Sequence, residues 1–353
     1  MQQAEKYPFM KRMAAAGVPL RLRLELTRRC NLRCIHCKVH CDNQSGGELA
    51  AAEIGGLLDQ ARELGTMEVS ITGGEVFARP DITNVLNTIF KRDFQLHIQT
   101  NATAITSDHI ALLSQHIKKI LRVSVSVYAH DPAVHDQITG VPGSHARTLE
   151  NLFAMRDAGI PIYCFTLLMK ENAAQARNTK LFYEKHGLPY QFNTFIIPRD
   201  DGCAAPLAQR IPAQELPDLP VNWYGYLNPE GAEDPERFHA GATLDAWCPA
   251  GRFAVVTAAG DVIPCSLLRE SAGNIRKQSF RDIWTRSPVL QRVRDLRLGE
   301  LECFSCNLFP VCKPCVGLAN MENGDLRKRP TEMCRLSHAL LGKEHTDGPH
   351  GRS

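Results

Sequence analysis

Hydrophobic positions along the chain follow two alternating periods. Arg21 to Leu26, RLRLEL, alternates with period two and predicts a strand. Residues 49–64 then carry apolar side chains at helical spacing. The exchange recurs. Strand-like segments at 67–72, 94–99, 120–127, 161–168 and 190–197 alternate with helical ones at 81–91, 107–118, 147–158 and 173–186. Alternating βα units predict a parallel sheet covered by helices. Six units are too few to close an eight-stranded barrel, so the expected fold is α/β, a partial (β/α)6 TIM-like barrel. Chemistry in such folds gathers at the C-terminal ends of the strands.

The pattern breaks near Asp200, and seven prolines punctuate residues 198–235. Beyond, Phe253–Thr257 and Val262–Cys265 flank a turn and read as a hairpin. Ser279 to Arg297 reads as one helix capped by Ser279. The expected organisation is a lead-in at 1–20, the α/β core at 21–200, a linker at 201–244, a small Cys-rich α+β domain at 245–340 and a disordered tail at 341–353.

The chain has 353 residues, with 41 basic against 38 acidic side chains. This balance gives no reason to expect a nucleic-acid partner. No apolar run reaches the roughly 18 residues of a membrane helix, and the N-terminus lacks a signal-peptide core. A cytoplasmic protein without a membrane partner is expected. Thirteen cysteines change the picture, because clustered thiols in a reducing compartment more often bind metal than form disulfides.

Cys30, Cys34 and Cys37 form C-x3-C-x2-C directly after the first strand. Thiolates suit iron–sulfur clusters, and an ordinary four-iron cluster takes four of them. Three leave one iron open. The same spacing also suits zinc, completed by Cys41, His36 or His40. The motif resembles the radical S-adenosylmethionine (SAM) signature C-x3-C-x-Φ-C, with His36 at Φ. That resemblance implies a [4Fe–4S] cluster whose open iron chelates SAM. Reductive cleavage of SAM then yields a 5′-deoxyadenosyl radical that takes a hydrogen atom from substrate. Gly73-Gly74-Glu75, after the second strand, resembles the family's GGE motif, which implies a hold on the SAM amino group. By the same resemblance Thr100 and Asn101 close strand three, Ser126 reaches the ribose, and Ile196 or Ile197 on strand six packs on adenine. These softer positions equally suit ordinary strand-end packing.

Downstream, Cys248-x11-Gly260-x4-Cys265, Cys303-x2-Cys306-x5-Cys312-x2-Cys315 and Cys334 resemble the seven-cysteine SPASM extension of radical SAM enzymes. The family commonly has three residues in the last short spacing; this chain has two. The resemblance implies two auxiliary [4Fe–4S] clusters. Cys303, Cys306, Cys312 and Cys334 would hold the distal one, and Cys248, Cys265 and Cys315 the nearer. A fourth ligand for the nearer cluster is open: His239, Asp245, or a vacancy for substrate. A zinc ribbon with two structural zincs is the alternative reading of these cysteines. Cys41, Cys164 and Cys203 have no cluster role, and Cys164 reads as a core thiol.

Two auxiliary clusters can accept the electron left by a collapsing substrate radical, so the resemblance implies an oxidoreductase that modifies a peptide by crosslinking, epimerisation or dehydrogenation. The alternative is a small molecule, such as a tetrapyrrole side chain, a sugar or an aminocyclitol. A further alternative is a non-catalytic zinc or electron-transfer protein. Ser266 follows Cys265 where sulfatase-maturing relatives carry a basic Asp, so that activity is not expected. Arg28, Arg29, Arg33 and Lys38 read either as a solvated loop or as a docking surface for an electron donor such as flavodoxin or ferredoxin. Twenty residues before the first strand are too few for a leader-binding domain, so a separate leader-peptide-binding protein is an expected partner. Tyr128, His130, Asp131 and Arg199 fall at or beyond strand ends, and no catalytic acid or base is assigned.

Overall fold

The computed structural model describes residues 12–13, 16–39, 47–219 and 238–341. His40, Cys41, residues 220–237 of the expected linker and residues 342–353 of the expected tail lie outside the described residues.

Six parallel strands form the core. They are β1 (Arg21–Glu25), β2 (Glu68–Thr72), β3 (Gln95–Thr100), β4 (Ile120–Ser126), β5 (Ile162–Leu167) and β6 (Tyr190–Asn193). The period-two pattern of β1 shows why it forms. Leu22 and Leu24 are buried and share a core with Ile54 and Leu58 of helix α1 (Ala51–Glu63). Arg21, Arg23 and Glu25 point to the other face, where they line cavities inside the half-barrel. Helices α2 (Ile82–Phe90), α3 (Ser107–Gln115), α4 (Pro132–Thr139), α5 (Ser144–Asp157) and α6 (Ala176–Lys185) follow in the gaps between strands. The expected α/β partial barrel is the architecture observed.

Three local expectations change. Helix α4 is too short for periodicity to reveal it. Its ends are set by Asp131, whose side chain accepts from the Ala133 and Val134 amides, and by left-handed Gly140. The single helix expected over 279–297 is two, α7 (Phe280–Arg286) and α8 (Pro288–Asp295). Pro288 lacks an N–H and pushes Ser287 into extended geometry, which breaks the run. Strand six stops at Asn193, so Ile196 and Ile197 lie beyond it rather than on it.

The Cys-rich region continues the same sheet. Strand β7 (Ala254–Val256) pairs parallel with β1, and β8 (Asp261–Ile263) and β9 (Gly273–Asn274) add antiparallel. Among the described residues the order is β6-β5-β4-β3-β2-β1-β7-β8-β9. β1 therefore sits between the two regions with both edges paired. Helices α9 (Phe309–Cys312), α10 (Val316–Asn323) and α11 (Thr331–Leu340) complete the described chain. Among the described residues no helix is long and apolar enough to cross a membrane.

Candidate active site

The loop leaving β1 carries the first three thiols and is anchored by backbone on both sides. Arg33 and Ile35 donate to the carbonyls of Thr139 and Ile138 at 2.8 and 3.0 Å, which docks the loop on the end of α4. The turn after β2 docks on the other side. Gly74 N–H donates to Thr27 O at 2.8 Å and Glu75 N–H to Arg29 O at 2.7 Å. A Cβ on Gly73 would stand 2.3 Å from Thr27 O, and one on Gly74 2.1 Å from Arg29 O. The paired glycines are therefore required by backbone-to-backbone contact with the cysteine loop, and Gly73 also has φ 144°.

Glu75 is fully buried. Its Oε1 accepts from Phe77 N at 3.0 Å and Thr100 Oγ1 at 2.7 Å, and its Oε2 from Asn101 N at 2.7 Å. Burial pushes its pKa up, and these three donors pull it down. Asn101 Nδ2 in turn donates to Asn31 Oδ1 at 3.1 Å and approaches Cys30 Sγ at 4.0 Å. The structure thus brings Gly73, Gly74, Glu75, Thr100 and Asn101 into one network with the cysteine loop. His36 is half-buried and meets the Tyr128 ring edge-on at a centroid distance of 4.7 Å. Burial lowers its pKa to about 4, so it is neutral at pH 7, and its Nδ1 has no hydrogen-bond partner among the described residues. Ser126 ends β4, two residues before Tyr128. Ile196 packs with Tyr128, Met169, Cys34 and Ile35, beside the loop. Ile197 turns away and packs with Leu318, Met333, Cys312 and Cys315. Asp131 caps α4 and His130 meets Thr179, so both serve the fold.

The ten clustered thiols fall into three sets. Burial, then Cys37 and Cys30, push the Cys34 thiol far above its usual value. Burial, then Cys315 and Cys265, do the same to Cys248. Burial, then Cys312, Cys334 and Cys306, raise Cys303. Cys312 is pushed up to about 12 and Cys315 to about 11, burial leading in both. Thiols crowded this way resist ionisation until a cation neutralises them. In each set one sulfur accepts an amide N–H from two residues on: Leu32 to Cys30, Leu267 to Cys265 and Leu308 to Cys306, each at 3.4 Å. Cys303, Cys306, Cys312 and Cys334 also line one small cavity of about 40 Å³. Among the described residues no group of three or more His, Cys, Asp or Glu closes on a single metal ion. Thiol sets that surround a void and carry N–H···S contacts suit a sulfide-bridged cluster better than one zinc. Burial leads the influences on Cys248, Cys265 and Cys315, followed by the neighbouring thiols for Cys248 and Cys315 and by the Leu267 and Leu268 amides for Cys265. Asp245 accepts from Thr243 Oγ1. Cys164 is buried on β5 and Cys203 is exposed.

A cavity of about 330 Å³ is lined by Lys38 and Gly73 of the half-barrel together with Ser266 and Arg269 of the C-terminal region. Of the four cations after β1, Arg28 pairs with Asp200 at 3.1 Å, and Lys38 turns into this cavity. Arg33 is exposed and donates to the Cys30 carbonyl at 3.1 Å.

A parallel half-barrel that hangs three thiols from the loop after its first strand, with a Gly-Gly-Glu turn docked beside them, is the framework of a radical SAM protein. The chain belongs to that class. The Radical SAM superfamily model matches residues 24–182, and the SPASM model, an iron–sulfur cluster-binding domain, matches 248–316. It is a radical SAM enzyme with a C-terminal SPASM domain, and it works with [4Fe–4S] clusters and SAM. Among relatives, the AdoMet-dependent heme synthase of Methanosarcina barkeri is 25% identical over 89% of this chain and 95% of its own length. The mycofactocin maturase MftC of Mycobacterium tuberculosis is 26% identical over 94% of this chain and 87% of its own. The structure of Streptococcus suis SuiB bound to precursor peptide SuiA superposes with a TM-score of 0.70 at 18% identity, covering 94% of this chain and 80% of that one, a likeness of fold.

Proposed function

We propose that the enzyme oxidises a peptide held in the cavity that Lys38 and Gly73 share with Ser266 and Arg269. The carrying observation is that one cavity is lined by chain neighbours of both sets: Lys38, which follows Cys37, and Ser266, which follows Cys265. A cluster on Cys30, Cys34 and Cys37 would supply the electron that cleaves SAM to a hydrogen-abstracting radical. Clusters on Cys248, Cys265 and Cys315 and on Cys303, Cys306, Cys312 and Cys334 give an exit for the electron left on substrate. Gly73 and Gly74 shape the turn at which the SAM amino group would rest. Glu75, Thr100 and Asn101 hold that turn rigid, which positions the reacting groups. His36 and Ile196, beside the thiol loop, would flank adenine, and Ser126 the ribose. The half-buried, neutral His36 offers an apolar face that would help exclude water from the radical. The nearer auxiliary site takes no fourth protein ligand in this reading. The enzyme is cytoplasmic, its electrons come from a flavodoxin or ferredoxin, and a separate protein presents the peptide leader.

A peptide substrate is supported by the mycofactocin maturase and by the PqqA peptide cyclase of Granulibacter bethesdensis, 24% identical over 84% of this chain. The heme synthase relatives favour a second reading, a tetrapyrrole side chain. The test is product mass. Reconstituted enzyme, SAM and dithionite are incubated without oxygen with either precursor peptides of mycofactocin type or a porphyrin bearing four carboxylates. Loss of a hydrogen pair from a peptide supports the first reading. Change in the porphyrin alone replaces it with the second.

A further inference from the structure

We infer that the cavity recognises its substrate by a carboxylate, carried on an acidic side chain of the peptide and seated against Lys38. This rests on the peptide reading for its source of the carboxylate, and on geometry alone for the anion. Lys38 lines the cavity, and its side chain has no hydrogen bond or ion pair among the described residues. Three carboxylates line the same cavity: Glu25, Asp200 and Asp261. Both Glu25 oxygens are already taken by Arg269 Nη1, at 2.8 and 2.9 Å. Asp200 pairs with Arg28 at 3.1 Å, and Asp261 accepts from Ser271 and Asn274. Four cations, Arg23, Arg28, Lys38 and Arg269, thus face three carboxylates, and the ammonium is left over. Arg23 Nη1 donates to the neutral Ser266 Oγ at 3.1 Å. An ammonium on the wall of a partly enclosed cavity, with no ion pair among the described residues, is stabilised by an arriving anion.

The adjoining cavity is cationic as well. A second cavity, of about 470 Å³, shares Arg23 and Gln99 with the first and reaches the N-terminal ends of the strands. Arg21, Arg23, Arg122 and Arg252 line it against Glu68 and Asp245. Arg21 pairs with Glu68 at 3.0 Å. Arg122 lies over the Tyr163 ring, 5.3 Å from its centroid, and donates to neutral His97. Positive walls around a low-dielectric groove raise the local concentration of an anion and steer it inward.

The experiment measures binding to reconstituted, anaerobic holoenzyme with SAM present. The probes are a fluorescein-labelled Gly-Glu repeat decapeptide, its Gly-Gln counterpart and the four-carboxylate porphyrin. The Glu peptide should bind at least about tenfold more tightly than the Gln peptide. Lys38→Met should erase that difference, and Lys38→Arg should restore most of it, with iron and sulfide content checking that each variant is loaded. Equal binding of the two peptides, absent binding of both peptides and the porphyrin, or a Glu preference that survives Lys38→Met overturns the carboxylate site. Lys38-dependent binding of the porphyrin but not the peptide upholds the anion site and overturns the peptide as its source.

Discussion

The two cysteine-bearing regions solve the same problem from opposite directions. In the half-barrel, three thiols ride on a loop whose backbone is pinned by α4 on one side and by the Gly73-Gly74 turn on the other. The scaffold beneath is a large apolar core running through all six strands. In the C-terminal region, seven thiols are spread over short turns and helices. Their local packing is two small clusters, one around Leu244, Leu298 and Phe309, the other around Ile197, Leu318 and Met333. The barrel preorganises its cluster loop. The C-terminal region has less apolar surface to hold its shape and must draw on its clusters, as small metal domains do.

The sharpest break between the regions is Cys34→Ala. It should abolish 5′-deoxyadenosine formation while the loaded protein loses about four irons and keeps the rest. Loss of all iron would show that the sites are not independent. Removing iron with a chelator comes next. Amide exchange should rise strongly across residues 298–340 and little across β1–β5, because the larger apolar core lies beneath the half-barrel and the thiol-bearing turns rest on smaller clusters. Equal protection loss in both would refute the comparison. Cys265→Ala should retain SAM cleavage and lose product, and a normal product yield would make the nearer set dispensable. Gly74→Ala forces a Cβ to 2.1 Å from the Arg29 carbonyl, so it should cost about 1–3 kcal/mol and weaken SAM binding about tenfold. Unchanged SAM affinity would free the turn of its assigned role.

The smallest effect concerns pH. His97 is buried among Ser70, Ser124 and Arg122; burial, then Arg122, Arg23 and Arg21, lower its pKa to about 3. The unfolded chain takes up this proton near pH 6.5 and the folded one does not, so stability falls as pH drops below 6.5 towards 3. His97→Gln should flatten that acid limb in thermal melts. An unchanged limb would place the titration elsewhere.

Much of this was legible beforehand because its signals are local. The alternating strand and helix pattern marked all six parallel strands, and the first three cysteines stood together in spacing. Spacing also ran Cys315 on from Cys303, Cys306 and Cys312, and only the family resemblance set it with Cys248 and Cys265, the thiols that act on each other in the structure. What the pattern hid depends on distant partners. The pairing of β7 with β1 joins residues more than 230 apart in sequence, and three-residue strands carry no period. The break at Pro288 was visible in composition, yet the apolar spacing runs through it. Ile197 shares its neighbour's chemistry, and only the chain direction beyond β6 shows that it faces the C-terminal region. Lys38 looked like one of four surface cations; its turn into the cavity follows from how the loop docks.

In the proposed mechanism the loop after β1 directs SAM chemistry into a cavity lined jointly by the half-barrel and the C-terminal region. The most direct measurement uses anaerobic, reconstituted enzyme with SAM, dithionite and a precursor peptide deuterated at its side chains, following 5′-deoxyadenosine by mass spectrometry. Deuterium in the 5′-deoxyadenosine from wild-type and Cys265→Ala enzyme, with none formed by Cys34→Ala, is the predicted result. Enzyme that carries its full iron and sulfide, consumes SAM and returns only unlabelled 5′-deoxyadenosine with every peptide would contradict it.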